Sequence, residues 1–153
     1  MAETVEVERV IAAPPEKVWS LVSDVTRMGE WSPETTSCQW VGGLLRPEVG
    51  ARFKGRNELD KKTWSTTCIV TDAEPGRSFG FLVKVGPFDV ARWLYLLEPT
   101  DGGCRVQERW TERRSALSKL LGRLATGVRD RAEHNRRTME ATLDRLAAVA
   151  EQN

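Results

Sequence analysis

Along the first eleven residues Val5, Val7 and Ile11 share one parity and Glu6 and Glu8 the other, an alternation that predicts a half-buried β-strand. Arg9 breaks the rule by falling on the apolar parity. At Ala12-Ala13-Pro14-Pro15-Glu16 the period changes: proline fits a first helical turn, Glu16 suits its positive dipole end, and Val18, Leu21, Val22 and Val25 follow at helical spacing. A second short helical segment is predicted from a Thr26 cap through Glu30 and Trp31, ending near Ser32 because Pro33 disfavours a helical residue before it.

From Thr35 to Thr111 the pattern has period two, interrupted at Gly42-Gly43, Pro47–Gly50, Asp60–Lys62, Pro75-Gly76, Gly86-Pro87 and Pro99–Gly103, which leaves room for six further strands. The inward parities read Phe53, Gly55 and Asn57; then Trp64, Cys68 and Val70; Phe79, Phe81, Val83 and Val85; Trp93, Tyr95 and Leu97; and Val106, Glu108 and Trp110. Glu108 is thus the one carboxylate among these inward sets. Ser115 to about Ala150 lacks proline and predicts a long helix of roughly 50 Å, with Leu117, Leu120, Leu121, Leu124, Val128, Ala132, Met139, Leu143 and Leu146 on one face. Gly122 and Gly127 mark where it would bend or break.

Composition narrows the function. The 153 residues fit a single domain, and 23 Lys and Arg nearly balance 22 Asp and Glu, which argues against bulk steering to nucleic acid. No apolar run approaches the roughly 20 residues of a membrane span, and the acidic start is unlike a signal peptide, so a soluble cytoplasmic protein is expected. Cys38, Cys68 and Cys104 are odd in number and widely spaced, which supports neither a disulfide framework nor a zinc site, and no metal or cofactor is expected. A single histidine, His134, denies the chain the usual imidazole-based catalytic sets, and its position off the apolar stripe predicts a solvated side chain. Basic residues gather late: residues 113–153 hold nine basic against five acidic side chains, a helix face read as solvated ahead of a site for anionic lipid, nucleic acid or an acidic partner.

The order strand, two short helices, six-stranded meander and long C-terminal helix resembles the helix-grip fold of the START-like superfamily, also called SRPBCC. The run Ile11 to Trp19, then Asp24 and Glu30-Trp31-Ser32-Pro33, is similar to the N-terminal signature of bacterial polyketide cyclase/dehydrase-like proteins. Gly50 to Asn57 and Glu74 to Arg77 resemble their central strands. The resemblance implies an α+β fold: a curved seven-stranded antiparallel sheet wrapped around the C-terminal helix, with two short helices after strand one.

It also implies a space between sheet and helix for a hydrophobic or aromatic small molecule, lipid or polyketide-like, held by a monomer or weak dimer. The expected ligand contacts are Trp31, Phe53, Asn57, Trp64, Phe81, Trp93, Tyr95, Glu108 and Trp110, with Trp31 foremost because its turn closes against the sheet mouth in this fold. Because first and last strands are neighbours there, Arg9 is the expected partner of Glu108. The alternatives are an enzyme of cyclase/aromatase type, using Glu108, Arg9 or Tyr95 with water to move protons, and a regulatory or toxin-like module acting through the basic helix.

Overall fold

The computed structural model describes residues 3–152. Strand β1 (Thr4–Ile11) is followed by helix α1 (Pro15–Val22) and a 3₁₀ helix (Val25–Glu30). Six strands then run in sequence: β2 (Thr35–Val41), β3 (Arg52–Leu59), β4 (Lys62–Glu74), β5 (Ser78–Val85), β6 (Phe88–Thr100) and β7 (Gly103–Glu112). Two helices close the chain, α2 (Ala116–Thr126) and α3 (Arg131–Ala150). The strands form one antiparallel sheet in the order β1-β7-β6-β5-β4-β3-β2: the meander that the sequence pattern predicts, with β1 added beside β7 as the family resemblance implies. Register shifts at Val70/Asp72 and Val83/Lys84 interrupt the pairing of β5 with both its neighbours, and irregularities of this kind bend a strand and sharpen its twist.

The period-two parities hold except at the end of β5, where Val85, beyond the register shift at Val83/Lys84, is exposed. Phe53, Cys68, Val70, Phe79, Phe81, Tyr95, Val106 and Trp110 are all buried, and together with Val18, Leu21 and Val22 of α1 and Leu143, Leu146 and Ala147 of α3 they build the core. Helix α3 packs most closely over β1. At the N-terminus of the 3₁₀ helix the cap is Asp24 and not Thr26: the carboxylate accepts from the Thr26 amide at 3.2 Å and from its hydroxyl. A carboxylate placed two residues earlier reaches an orphan amide, whereas Thr26 already lies inside the turn.

The long C-terminal helix is in fact two. Gly127 takes a left-handed conformation (φ 77°) at the end of α2, and Asp130 caps α3 by accepting from the Glu133 amide. This break overturns the expectation of a single buried stripe. Met139, Leu143 and Leu146 of α3 are buried, but Leu117, Leu120, Leu121 and Leu124 of α2 are 52–68 % exposed. The two helices no longer share an axis, so residues at one spacing no longer share a face.

The Arg9–Glu108 pair does not form either. Both lie on adjacent strands, but Glu108 stands opposite Val7 and Arg9 opposite Val106. The guanidinium runs out to Asp144 on the exposed side of α3, where both groups keep water. A long side chain can leave an apolar face by lying along it, and this avoids the large desolvation cost of a buried guanidinium.

Candidate functional site

Between the concave face of the sheet and helices α2 and α3 lies a cavity of about 410 Å³, within the roughly 300–1,000 Å³ usual for small-molecule sites. The sheet supplies its aromatic wall, with Phe53, Trp64, Phe81, Trp93 and Trp110. Helix α3 supplies the opposite wall through Asn135, Thr138, Met139 and Thr142. Half-exposed lining residues, Leu121 and Ala125 of α2 with Val85 and Phe88 of the β5–β6 turn, locate the opening.

Polar groups enter this apolar space at two points. On β2–β4 Thr35 Oγ1 donates to Asn57 Oδ1 at 3.0 Å, and Asn57 Nδ2 donates to Thr66 Oγ1 at 3.4 Å. On β6–β7 Tyr95 and Glu108 face each other across the ladder, and the phenol donates to Glu108 Oε2 at 3.1 Å. Glu108 Oε1 is buried with no hydrogen-bond partner among the described residues. Burial pushes the Glu108 carboxyl up from 4.5 to about 8, and the Tyr95 hydrogen bond only partly opposes this. Burial first, and then the neighbouring carboxylate, push the Tyr95 phenol well above its ordinary value. At neutral pH Glu108 is therefore mainly a neutral acid. With Tyr95 donating to Oε2, the proton of the neutral acid falls to Oε1, which has no acceptor among the described residues.

The opening is held by ion pairs that the parity argument missed. Glu34, just before β2, accepts from Arg131 Nη1 at 2.8 Å, and His134 Nε2 lies 2.7 Å from the same oxygen. Arg131 also donates to Thr126 Oγ1 at 3.0 Å, so one cluster joins the β2 entry, the end of α2 and the start of α3. His134 is thus tied down and largely covered, not solvated. Across the opening Arg114 grips Glu112 with two side-chain hydrogen bonds of 2.8 and 2.7 Å and one from its backbone amide. Burial works against the Glu112 charge, but the Arg114 hydrogen bonds prevail and hold its carboxyl below the ordinary value. Both arginines that line the cavity are therefore neutralised within it.

Of the residues expected to contact ligand, Phe53, Asn57, Trp64, Phe81, Trp93, Tyr95, Glu108 and Trp110 line the cavity. Trp31 does not. It is 2 % exposed and packed in the core, with the Arg27 guanidinium 5.7 Å from its ring centroid. The 3₁₀ helix lays it inward, and Ser32 and Pro33 reach the cavity instead. Arg9 lies outside as well. The α3 contributors were legible in principle: Asn135 and Thr142 interrupt the stripe that Met139 and Leu146 define, and both are buried.

Burial pushes the Cys38 thiol up to about 12 and the Cys68 thiol higher still, so these two lining residues are packing groups and not nucleophiles. Among the described residues no group of three or more His, Cys, Asp or Glu side chains is placed to hold a metal ion, and no helix is long and apolar enough to cross a membrane.

Residues 2–151 match the family described as polyketide cyclase/dehydrase and lipid transport. None of the curated proteins compared with the chain matches it. A solved Polyketide_cyc-like protein of Corynebacterium glutamicum is 34% identical over 99% of this chain and 91% of its own, with a TM-score of 0.57. At fold level alone, a Chromobacterium violaceum protein superposes with a TM-score of 0.74 at 20% identity, covering 98% of each chain. The di-domain ARO/CYC StfQ of the steffimycin biosynthetic pathway does so with 0.76 at 15% identity, over 99% of this chain and 51% of its own.

Proposed function

Since the chain belongs to the polyketide cyclase/dehydrase and lipid transport family, we propose that it binds a neutral, flat, apolar molecule in the cavity, with a carbonyl of that molecule at Glu108. One observation carries the reading: an aromatic-walled space ends on the buried carboxyl of Glu108, which burial favours in its neutral form and whose Oε1 has no partner among the described residues. A ligand carbonyl placed there would accept the acid's proton and relieve a buried polar group whose isolation costs roughly 1–3 kcal/mol. Among the described residues a carboxylate ligand would meet no free cation in the lining, because Arg114 and Arg131 are already paired. Three lining tryptophans report occupancy. Titration with flat apolar ketones should change their fluorescence saturably, and Thr138→Phe, which fills the cavity from α3, should abolish the change while the protein stays folded. No response across a broad panel, together with no copurified molecule in native mass spectrometry, would overturn the reading.

The Tyr95–Glu108 pair favours a second reading, a cyclase-type enzyme in which Glu108 is the general acid. An acid titrating near neutrality next to a phenol can protonate a ketone oxygen as an enol carbon of the same molecule attacks it, the C=O π bond giving way to the new C–C bond and the proton released by the enol returning, through water, to the Glu108 carboxylate. Glu108→Gln separates the two readings. Binding kept with turnover lost supports the enzyme, while substrate recovered unchanged from both forms leaves binding alone.

A further inference from the structure

Helix α2 carries its apolar stripe the wrong way round for a helix that packs on a core. Turning by about 100° per residue, it directs Ser118, Gly122 and Ala125 towards the cavity, so small residues face inward. Leu117, Leu120 and Leu124 are turned to solvent, all more than half exposed, and Leu121 spans the edge between the two faces. Phe88 and Val85 on the β5–β6 turn border the same opening and are 59 % and 45 % exposed. The rim of the cavity is therefore a continuation of its apolar lining onto the outside of the molecule.

Charge indicates what covers it. From Arg113 to Arg129 the chain carries five basic residues and no acidic one. Arg114 is spent on Glu112, which leaves Arg113, Lys119, Arg123 and Arg129 beside the leucines, and three of these four are exposed. On the wheel Lys119 and Arg123 flank the leucine stripe on the side away from the cavity, Arg123 about 60° from Leu120. A leucine stripe bordered by lysine and arginine is the pattern of a helix lying in a bilayer interface, where apolar side chains enter the acyl boundary and cations meet anionic headgroups.

We propose that α2 and the β5–β6 turn form a docking surface for an anionic lipid bilayer, which seats the opening of the cavity against the membrane. The apolar rim would then let a hydrophobic ligand pass between bilayer and cavity without crossing water. This goes beyond ligand binding and can fail independently of it, because docking is read on ligand-free protein.

The test is cosedimentation with vesicles of phosphatidylcholine alone or mixed with phosphatidylglycerol. The protein should bind the mixed vesicles, bind the neutral ones far more weakly, and release as ionic strength rises. Lys119→Gln and Arg123→Gln should each weaken binding about fivefold, the equivalent of roughly 1 kcal/mol per surface cation. Leu117→Ser with Leu124→Ser should weaken it about a hundredfold or more, while circular dichroism and the Thr138 cavity assay stay unchanged, since both leucines are exposed. Equal binding to neutral and anionic vesicles, or none to either, would overturn the proposal. So would a dimer in sedimentation velocity that the leucine changes abolish, since a second copy would then be what covers the stripe.

Discussion

Replacing Glu108 by glutamine tests the electrostatics of the site most directly. The folded protein holds this carboxyl at about 8 against an ordinary 4.5. Below pH 4.5 both folded and unfolded chains are protonated and the group contributes no pH dependence. Between about 4.5 and 8 the unfolded chain releases the proton while the folded chain keeps it, so stability falls by about 1.4 kcal/mol per pH unit. Above about 8 both forms are ionised and the loss levels off at roughly 5 kcal/mol. Glutamine keeps an acceptor for the Tyr95 hydroxyl at nearly the same volume but cannot ionise. The stability of Glu108→Gln relative to the parent should therefore rise from its acid value by roughly 3 kcal/mol at pH 7 and roughly 5 at pH 8 and above. Urea unfolding followed by tryptophan fluorescence from pH 5 to 9 measures the difference. Groups with the opposite sign, such as Glu112, kept ionised by Arg114, and Asp72, kept ionised by the Thr71 hydroxyl and Arg92, whose contribution is lost as pH falls, are common to both proteins and cancel. Parallel pH profiles would refute the reasoning, because they would mean that Glu108 is ionised and solvated in the folded protein.

Arg114→Met should cost roughly 3–5 kcal/mol, since it strands a Glu112 side chain that is 5% exposed; denaturant melts should show much of the loss recovered when Glu112→Gln is added. Arg9→Met, by contrast, should change the unfolding free energy by less than about 1 kcal/mol, because its partner Asp144 is two-thirds exposed and the pair is screened by water. Gly103→Ala should destabilise by more than about 2 kcal/mol, because a Cβ there would fall 2.1 Å from the Ile11 carbonyl oxygen, where β7 starts against the end of β1. A thermal midpoint within a degree or so of the parent would show that this crossing can open.

Strand parity was legible because alternate residues of a strand must point to opposite faces, whatever the rest of the chain does. It was enough to put Phe53, Phe81, Tyr95, Glu108 and Trp110 in the inward sets of their strands, and turn residues at the breaks were enough to delimit the meander, while the curvature of the sheet and the place of β1 beside β7 came from the family resemblance. Parity does not say what an inward side chain meets. Trp31 and Trp110 are equally buried, yet only Trp110 borders the cavity, a difference set by how the 3₁₀ helix docks. Arg9 had an apolar position and a nearby carboxylate in Glu108, but its partner is Asp144, 135 positions away in the chain; which of two carboxylates it reaches depends on where α3 crosses β1. The leucines of α2 show the same division most sharply. Their spacing established a helix with an apolar face, because that follows from 3.6 residues per turn. Whether the face turns inward was decided by Gly127, whose left-handed backbone swings α2 off the axis of α3, and by the small residues Ser118, Gly122 and Ala125 turned towards the cavity in place of the leucines.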